Sequence, residues 1–120
     1  MRRYHFKFIR EWFYRDGRKP LILRGARQVG KSTLIRLFAD EEGLELLEVN
    51  LERGKIKSVE KEHIKIEEVL DEIQIRTQKR LHEKSLIFFD EIQEQPNLLK
   101  FLRYFYEEKP EIAVVSAGSL

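Results

Sequence analysis

Apolar residues recur along the chain in two rhythms that take turns. Over residues 4–14, Ile9, Trp12 and Phe13 fall at helical spacing and Asp16-Gly17 supplies a turn, which predicts a short helix packed on the domain. After Pro20, Leu21-Ile22-Leu23 is a brief continuous apolar run, the type expected of a strand buried on both faces. From Lys31, Leu34, Leu37 and Phe38 mark a helix that ends near Gly43, a residue suited to a left-handed C-cap. Residues 46–51 alternate apolar and polar groups as a second strand does. Beyond the charged stretch 52–65, Ile66, Val69, Leu70, Ile73 and Thr77 share one face of an amphipathic helix predicted over 66–82. Leu86-Ile87-Phe88-Phe89 is a third, continuous apolar strand. Pro96 then opens a helix whose Leu98, Phe101, Leu102 and Phe105 face inward, Pro110 closes it, and residues 112–115 form a fourth strand.

Strands alternating with helices predict an α/β fold: a parallel sheet covered on both faces. With 120 residues, one domain over 1–120 is expected, and no repeat or low-complexity linker divides it. A chain 42% hydrophobic and 37% charged is globular rather than disordered, and no apolar run approaches the roughly 20 residues that span a bilayer. The N-terminus has no secretory-signal pattern, so a cytoplasmic location is expected, with no membrane partner. The chain has no cysteine, which excludes disulfides and thiol chemistry, and His5, His63 and His82 lack metal-ligand spacing.

Charge adds an asymmetry. Residues 1–36 carry eleven Lys or Arg against two acids, Glu11 and Asp16, whereas the remainder carries twelve against nineteen. A positive field of this kind suits a bound polyphosphate or a nucleic-acid strand, and equally a solvated face.

The positive end surrounds Gly25-Ala26-Arg27-Gln28-Val29-Gly30-Lys31-Ser32, which has the spacing G-x-x-x-x-G-K-[ST] between a predicted strand and a predicted helix. The glycines let successive backbone N–H groups turn inward onto phosphate oxygens, and the helix beginning near Lys31 adds the positive end of its dipole. These residues, with Thr33, are the candidate ATP-binding set. Lys31 is expected to reach the β and γ phosphates, and the Ser32 hydroxyl to coordinate Mg2+. The strand at 86–89 ends in Asp90-Glu91, as a Walker B motif does: Asp90 as the second magnesium residue, Glu91 as the candidate general base for an attacking water.

RGARQVGKSTLI, FFDEIQEQP and LRYFYEEKPEIAVVSAGSL together resemble the N-terminal AAA domain of a prokaryotic ATPase family in the AAA+ superfamily, over nearly the whole chain. The resemblance implies a P-loop fold of the additional-strand class, with strand order 1-4-3-2. It implies a polar sensor at the end of the fourth strand, Ser119 or alternatively Ser116, and gives Gln93 a part in linking nucleotide state to the following helix. It also implies adenine held by apolar contacts around residues 14–19. The family layout adds a fifth strand, an arginine finger and a helical lid beyond Leu120. Arg27, inside the loop, and Arg103, on the last helix, are not expected to be the finger. Hydrolysis is accordingly expected to be weak in this chain. The strand at 21–23 is expected to be completed by a further C-terminal domain, by the N-terminal segment, or by a second copy in a homo-oligomer.

Two other readings stay open. A P-loop kinase would use the same loop to transfer phosphate, although Glu91 directly after Asp90 favours activation of water. A nucleic-acid-binding module would use the basic first 36 residues, with Trp12 or Tyr14 stacking on bases.

Overall fold

The apolar run at residues 86–89 lies at the centre of the molecule. It belongs to a strand, Ser85–Asp90, buried along its whole length. In the computed structural model, which describes residues 2–25 and 30–119 with side chains from residue 7 onward, that strand is β3 of a four-stranded parallel sheet. The others are β1 (Leu21–Gly25), β2 (Glu45–Asn50) and β4 (Ala113–Ser119), in the order β1-β4-β3-β2 that the sequence predicts. Each connection carries a helix: α2 (Lys31–Glu41), α3 (Ile66–Thr77) and α4 (Pro96–Glu108), with α1 (Arg2–Phe13) preceding the sheet.

Alternation along the strands divides the core in two. Leu86, Phe88, Ala113, Val115 and Ala117 face α1 and α2, where Ile9, Trp12, Phe13, Ile35, Phe38 and Ala39 close over them. Ile87, Phe89 and Val114 face α3 and α4, meeting Val69, Ile73, Leu98 and Phe105. Phe88 and Phe89 have no exposed surface, and burying each such side chain contributes about 1.5–3 kcal/mol.

Several elements and side chains sharpen or correct the sequence pattern. The apolar run at 21–23 is only half buried, and Arg24 and Gly25 after it are exposed, because among the described residues β1 pairs with β4 alone and forms the sheet edge. The N-terminal segment adds no strand there; it becomes α1. Trp12 is fixed in the core by a 2.6 Å hydrogen bond from Nε1 to the Lys19 carbonyl, so it is unavailable for stacking on a base. Arg18 lies over the Phe13 ring and donates to the carbonyls of Phe13 and Glu111, and burial lowers its pKa.

The helix predicted to 82 stops at Thr77, where Gln78 turns left-handed at φ 58° and caps it. The fourth strand runs on to Ser119, which brings Ser116 and Ser119 into the sheet. The charged stretch 52–65 contains a 3₁₀ turn, Lys57–Glu60, that buries Ile56 and Val59. Fully buried Gln95 holds this turn, accepting from Ile56 N–H at 2.9 Å and donating to the Ile56 carbonyl at 2.8 Å.

Among the described residues, no helix is long and apolar enough to cross a membrane.

Candidate functional site

Parallel pairing brings the C-terminal ends of the strands to one edge. Gly25 lies opposite Ser119, and Asp90 opposite Ala117. The chain leaves β1 at Gly25 and re-enters at Gly30, whose φ of 127° is closed to ordinary L side chains. Ala26, Arg27, Gln28 and Val29 lie outside the described residues. Among the described residues no side chain caps the start of α2 at Gly30, and a helix N-terminus is a favourable place for an anion.

Lys31 and Ser32, in the first turn of α2, point to different strands. The Lys31 ammonium donates to the Gly118 carbonyl of β4 at 2.8 Å, and the Ser32 hydroxyl donates to Asp90 Oδ2 at the end of β3 at 2.6 Å. Asp90 is 7% exposed, and its other oxygen accepts the N–H of Glu91 at 2.9 Å. Thr33 is exposed on α2.

Glu91 has left-handed backbone angles, φ 58° and ψ 50°, a conformation that costs a non-glycine residue about 1–2 kcal/mol. The turn lets the chain leave β3 sharply into the 3₁₀ turn Ile92–Glu94. Gln93 reaches back from that turn: Nε2 donates to Glu91 Oε1 at 2.7 Å, and Oε1 accepts the N–H of Ser119 at 3.2 Å. The structure therefore brings Lys31, Ser32, Asp90, Glu91, Gln93 and Ser119 together. Ser116 is excluded from this group. It is sealed in the sheet opposite Phe89 and Ile22, and its hydroxyl has no hydrogen-bond partner among the described residues. Arg103 is a surface residue beside Glu107, as expected.

Gly118 has no counterpart in the sequence reading. A Cβ there would meet Gln93 Oε1 at 2.6 Å and Ile92 Cγ2 at 2.8 Å, so only glycine lets the turn after β3 lie against β4. The one signal in the sequence is the run of small residues Ala117-Gly118-Ser119.

A second concavity of about 580 Å³ opens beside β2, among Arg36, Glu48, Asn50, Arg53 and Arg76. Much of its charge is matched internally. Glu48 takes both prongs of Arg36 at 2.9 and 2.6 Å, raising the Arg36 pKa, and Arg76 donates to the Gly54 and Lys55 carbonyls.

A family model described as an AAA domain matches residues 17–120. Among solved structures, the chain is similar to the ORC1 protein of Aeropyrum pernix in complex with DNA, at 16% identity and TM-score 0.59, over 99% of this chain and 38% of that one. It is also similar to a Walker-type ATPase of Pyrococcus abyssi, at 19% identity and TM-score 0.61, over 98% of this chain and 45% of that one. At such identities the likeness is one of fold, and the chain spans less than half the length of either protein. No curated protein matches the chain significantly.

Proposed function

The chain belongs to the AAA domain family, and from that premise we propose that its site binds Mg-ATP through Walker A and Walker B motifs and hydrolyses it. The observation that carries this reading is the meeting of Lys31, Ser32 and Asp90 at one sheet edge. In an ATP complex, Lys31 exchanges the Gly118 carbonyl for the β and γ phosphates, and the N-terminus of α2 faces the same charge. The phosphate-binding set is the sequence run 25–33.

Ser32 and Asp90 suit magnesium. Both offer hard oxygen atoms, and they already lie within 2.6 Å of one another. Magnesium at such a site takes phosphate and water oxygens as its remaining ligands. When bound, magnesium neutralises charge developing on the phosphates. Glu91 accepts the proton of the attacking water, and Ser119, at the end of β4, serves as the sensor.

Adenine is held by apolar contacts around residues 14–19, so selectivity over guanine is modest. The unpaired edge of β1 is filled by a further segment of a longer protein or by a second copy. Nucleic-acid binding is the second reading: the basic first 36 residues still favour it, although Trp12 is lost to the core. Calorimetric titration with ATP and GTP, with and without magnesium, tests the main proposal. Magnesium-dependent ATP binding is expected. Absence of binding, or a clear preference for GTP, would overturn it.

A further inference from the structure

A single peptide unit stands between the two halves of the site. Its carbonyl, on Gly118, accepts the Lys31 ammonium at 2.8 Å, and its N–H, on Ser119, donates to Gln93 Oε1 at 3.2 Å. Gln93 in turn donates to Glu91 Oε1 at 2.7 Å. Contacts therefore run unbroken from the phosphate-loop lysine to the carboxylate after β3. The lysine comes from the first turn of α2 and the carboxylate from the turn after β3.

Two further features favour a built connection over a chance closure of the turn. Gly118 leaves no room for a Cβ, and the atoms it would strike belong to Gln93 and Ile92, so the close approach depends on that glycine. Glu91 is held in a left-handed conformation that its side chain does not favour, which fixes the direction from which Gln93 meets the carboxylate. The chemistry of the amide supplies the coupling. A cation on the carbonyl draws electron density through the peptide and makes the N–H a stronger donor, as in any polarised chain of hydrogen bonds. When Lys31 leaves the carbonyl, the N–H holds Gln93 less firmly, and Gln93 holds Glu91 less firmly in turn.

We propose that Gln93 is a positioning residue that orients the Glu91 carboxylate and couples its placement to the Lys31 ammonium through the Gly118–Ser119 peptide. The consequence for turnover rests on the ATPase reading given above. The coupling itself is a property of the chain without nucleotide.

The test has two arms. In nucleotide-free protein, amide NMR spectra of Lys31→Ala and Lys31→Met should show the Ser119 N–H and the Gln93 side-chain NH2 moving upfield, while the Leu47 amide stays in place. Unmoved Ser119 and Gln93 signals in both variants would overturn the proposal whether or not ATP binds. In turnover assays, Gln93→Leu should lower kcat roughly tenfold while ATP affinity stays within about twofold. Gly118→Ala should match it, and the double variant should be no slower than either single one, because all three break the same connection. An unchanged kcat, or a parallel fall in affinity, would also overturn it. Failure of the wild-type chain to bind ATP would count against the proposed function alone, and the NMR arm would still decide the coupling.

Discussion

The Ser32 hydroxyl donates to Asp90 Oδ2 at 2.6 Å across 58 positions of sequence, tying the first turn of α2 to the end of β3. The pair joins a hydroxyl to a nearly buried carboxylate, so each residue leaves the other with an unmet need when it is removed. Ser32→Ala should cost about 1–3 kcal/mol of stability in urea denaturation, the usual penalty for a buried acceptor losing its donor. In both Ser32→Ala and Asp90→Asn, magnesium should no longer strengthen ATP binding. Affinities measured with magnesium and with a chelator check this, and retention of the full magnesium effect in both variants counts against these two residues as the metal site.

Lys31 and Glu91 should separate binding from turnover. Lys31→Ala is expected to abolish ATP binding, because the ammonium is the point charge that meets the phosphates. Glu91→Gln is expected to retain binding and lose most hydrolysis, about 10²-fold or more, because an amide cannot accept the proton from water. Equal ATP affinity in wild type and Lys31→Ala contradicts the first half, and unchanged turnover in Glu91→Gln contradicts the second.

Backbone strain at Glu91 gives a prediction about stability. Glycine at this position would relieve about 1–2 kcal/mol of left-handed strain, offset by the flexibility it adds to the unfolded chain and the lost bond to Gln93. Glu91→Gly should therefore melt no lower than Glu91→Ala, and both should be inactive. Calorimetric melting of the two variants side by side measures the difference, and a markedly lower Tm for the glycine variant refutes the strain argument.

Gln95 is the polar residue whose loss should cost most. It satisfies both backbone groups of Ile56 inside the core and also donates to Glu60 at 2.7 Å. Gln95→Leu keeps the bulk but orphans a buried N–H and a buried carbonyl, so unfolding free energy should fall by about 2–4 kcal/mol. A fall below that range in urea titration would mean that the turn at 57–60 finds other partners.

Glu72 should make stability depend on acid. Burial alone would raise its pKa above 4.5, but the N–H groups of Lys57 and Ser58, the Ser58 hydroxyl and Arg76 outweigh this and hold it lower. With the folded value depressed, the stabilisation is complete above 4.5 and drains away as pH falls through the folded value. Glu60, also lowered by hydrogen bonds from Gln95 and Asn97, adds to the same slope. Glu72→Gln should flatten the loss of stability in that acid range, as read from denaturation midpoints over a pH series. An unaltered slope rules out Glu72 as a contributor.

The sequence revealed most where apolar spacing alone decides the outcome. The run at 86–89 and the inward face of Leu98, Phe101, Leu102 and Phe105 are buried as their periodicity predicts. Leu21-Ile22-Leu23 reads identically at the centre of a sheet and at its edge, because exposure there depends on which strand lies alongside. On α2, Ile35, Phe38 and Ala39 form the buried face while Leu34 and Leu37 are half exposed, a rotation set by contact with α1 and the sheet. Ile56 and Val59 were hidden among charges, and Gln95 reads as a loop residue until its partner Ile56, 39 positions away, is known. Lys31 and Ser32 were legible because the spacing G-x-x-x-x-G-K-[ST] constrains residue type so tightly, and Asp90 and Glu91 because they close a continuous apolar strand. Gly118 was not, because its cause is a neighbour from another strand.

The pairing of β1 with β4 also sets an order of events during synthesis. β2 and β3 can pair as soon as residue 90 is clear of the ribosome, but β1, made first, has its partner only when β4 emerges, and Arg18 finds the Glu111 carbonyl 93 positions later. Contacts that span so much chain form slowly, and an apolar strand kept waiting is open to wrong partners. β1 is thus the first part of the sheet to be translated and among the last to be placed, so a growing chain has no assembled candidate site until its fourth strand has joined the sheet.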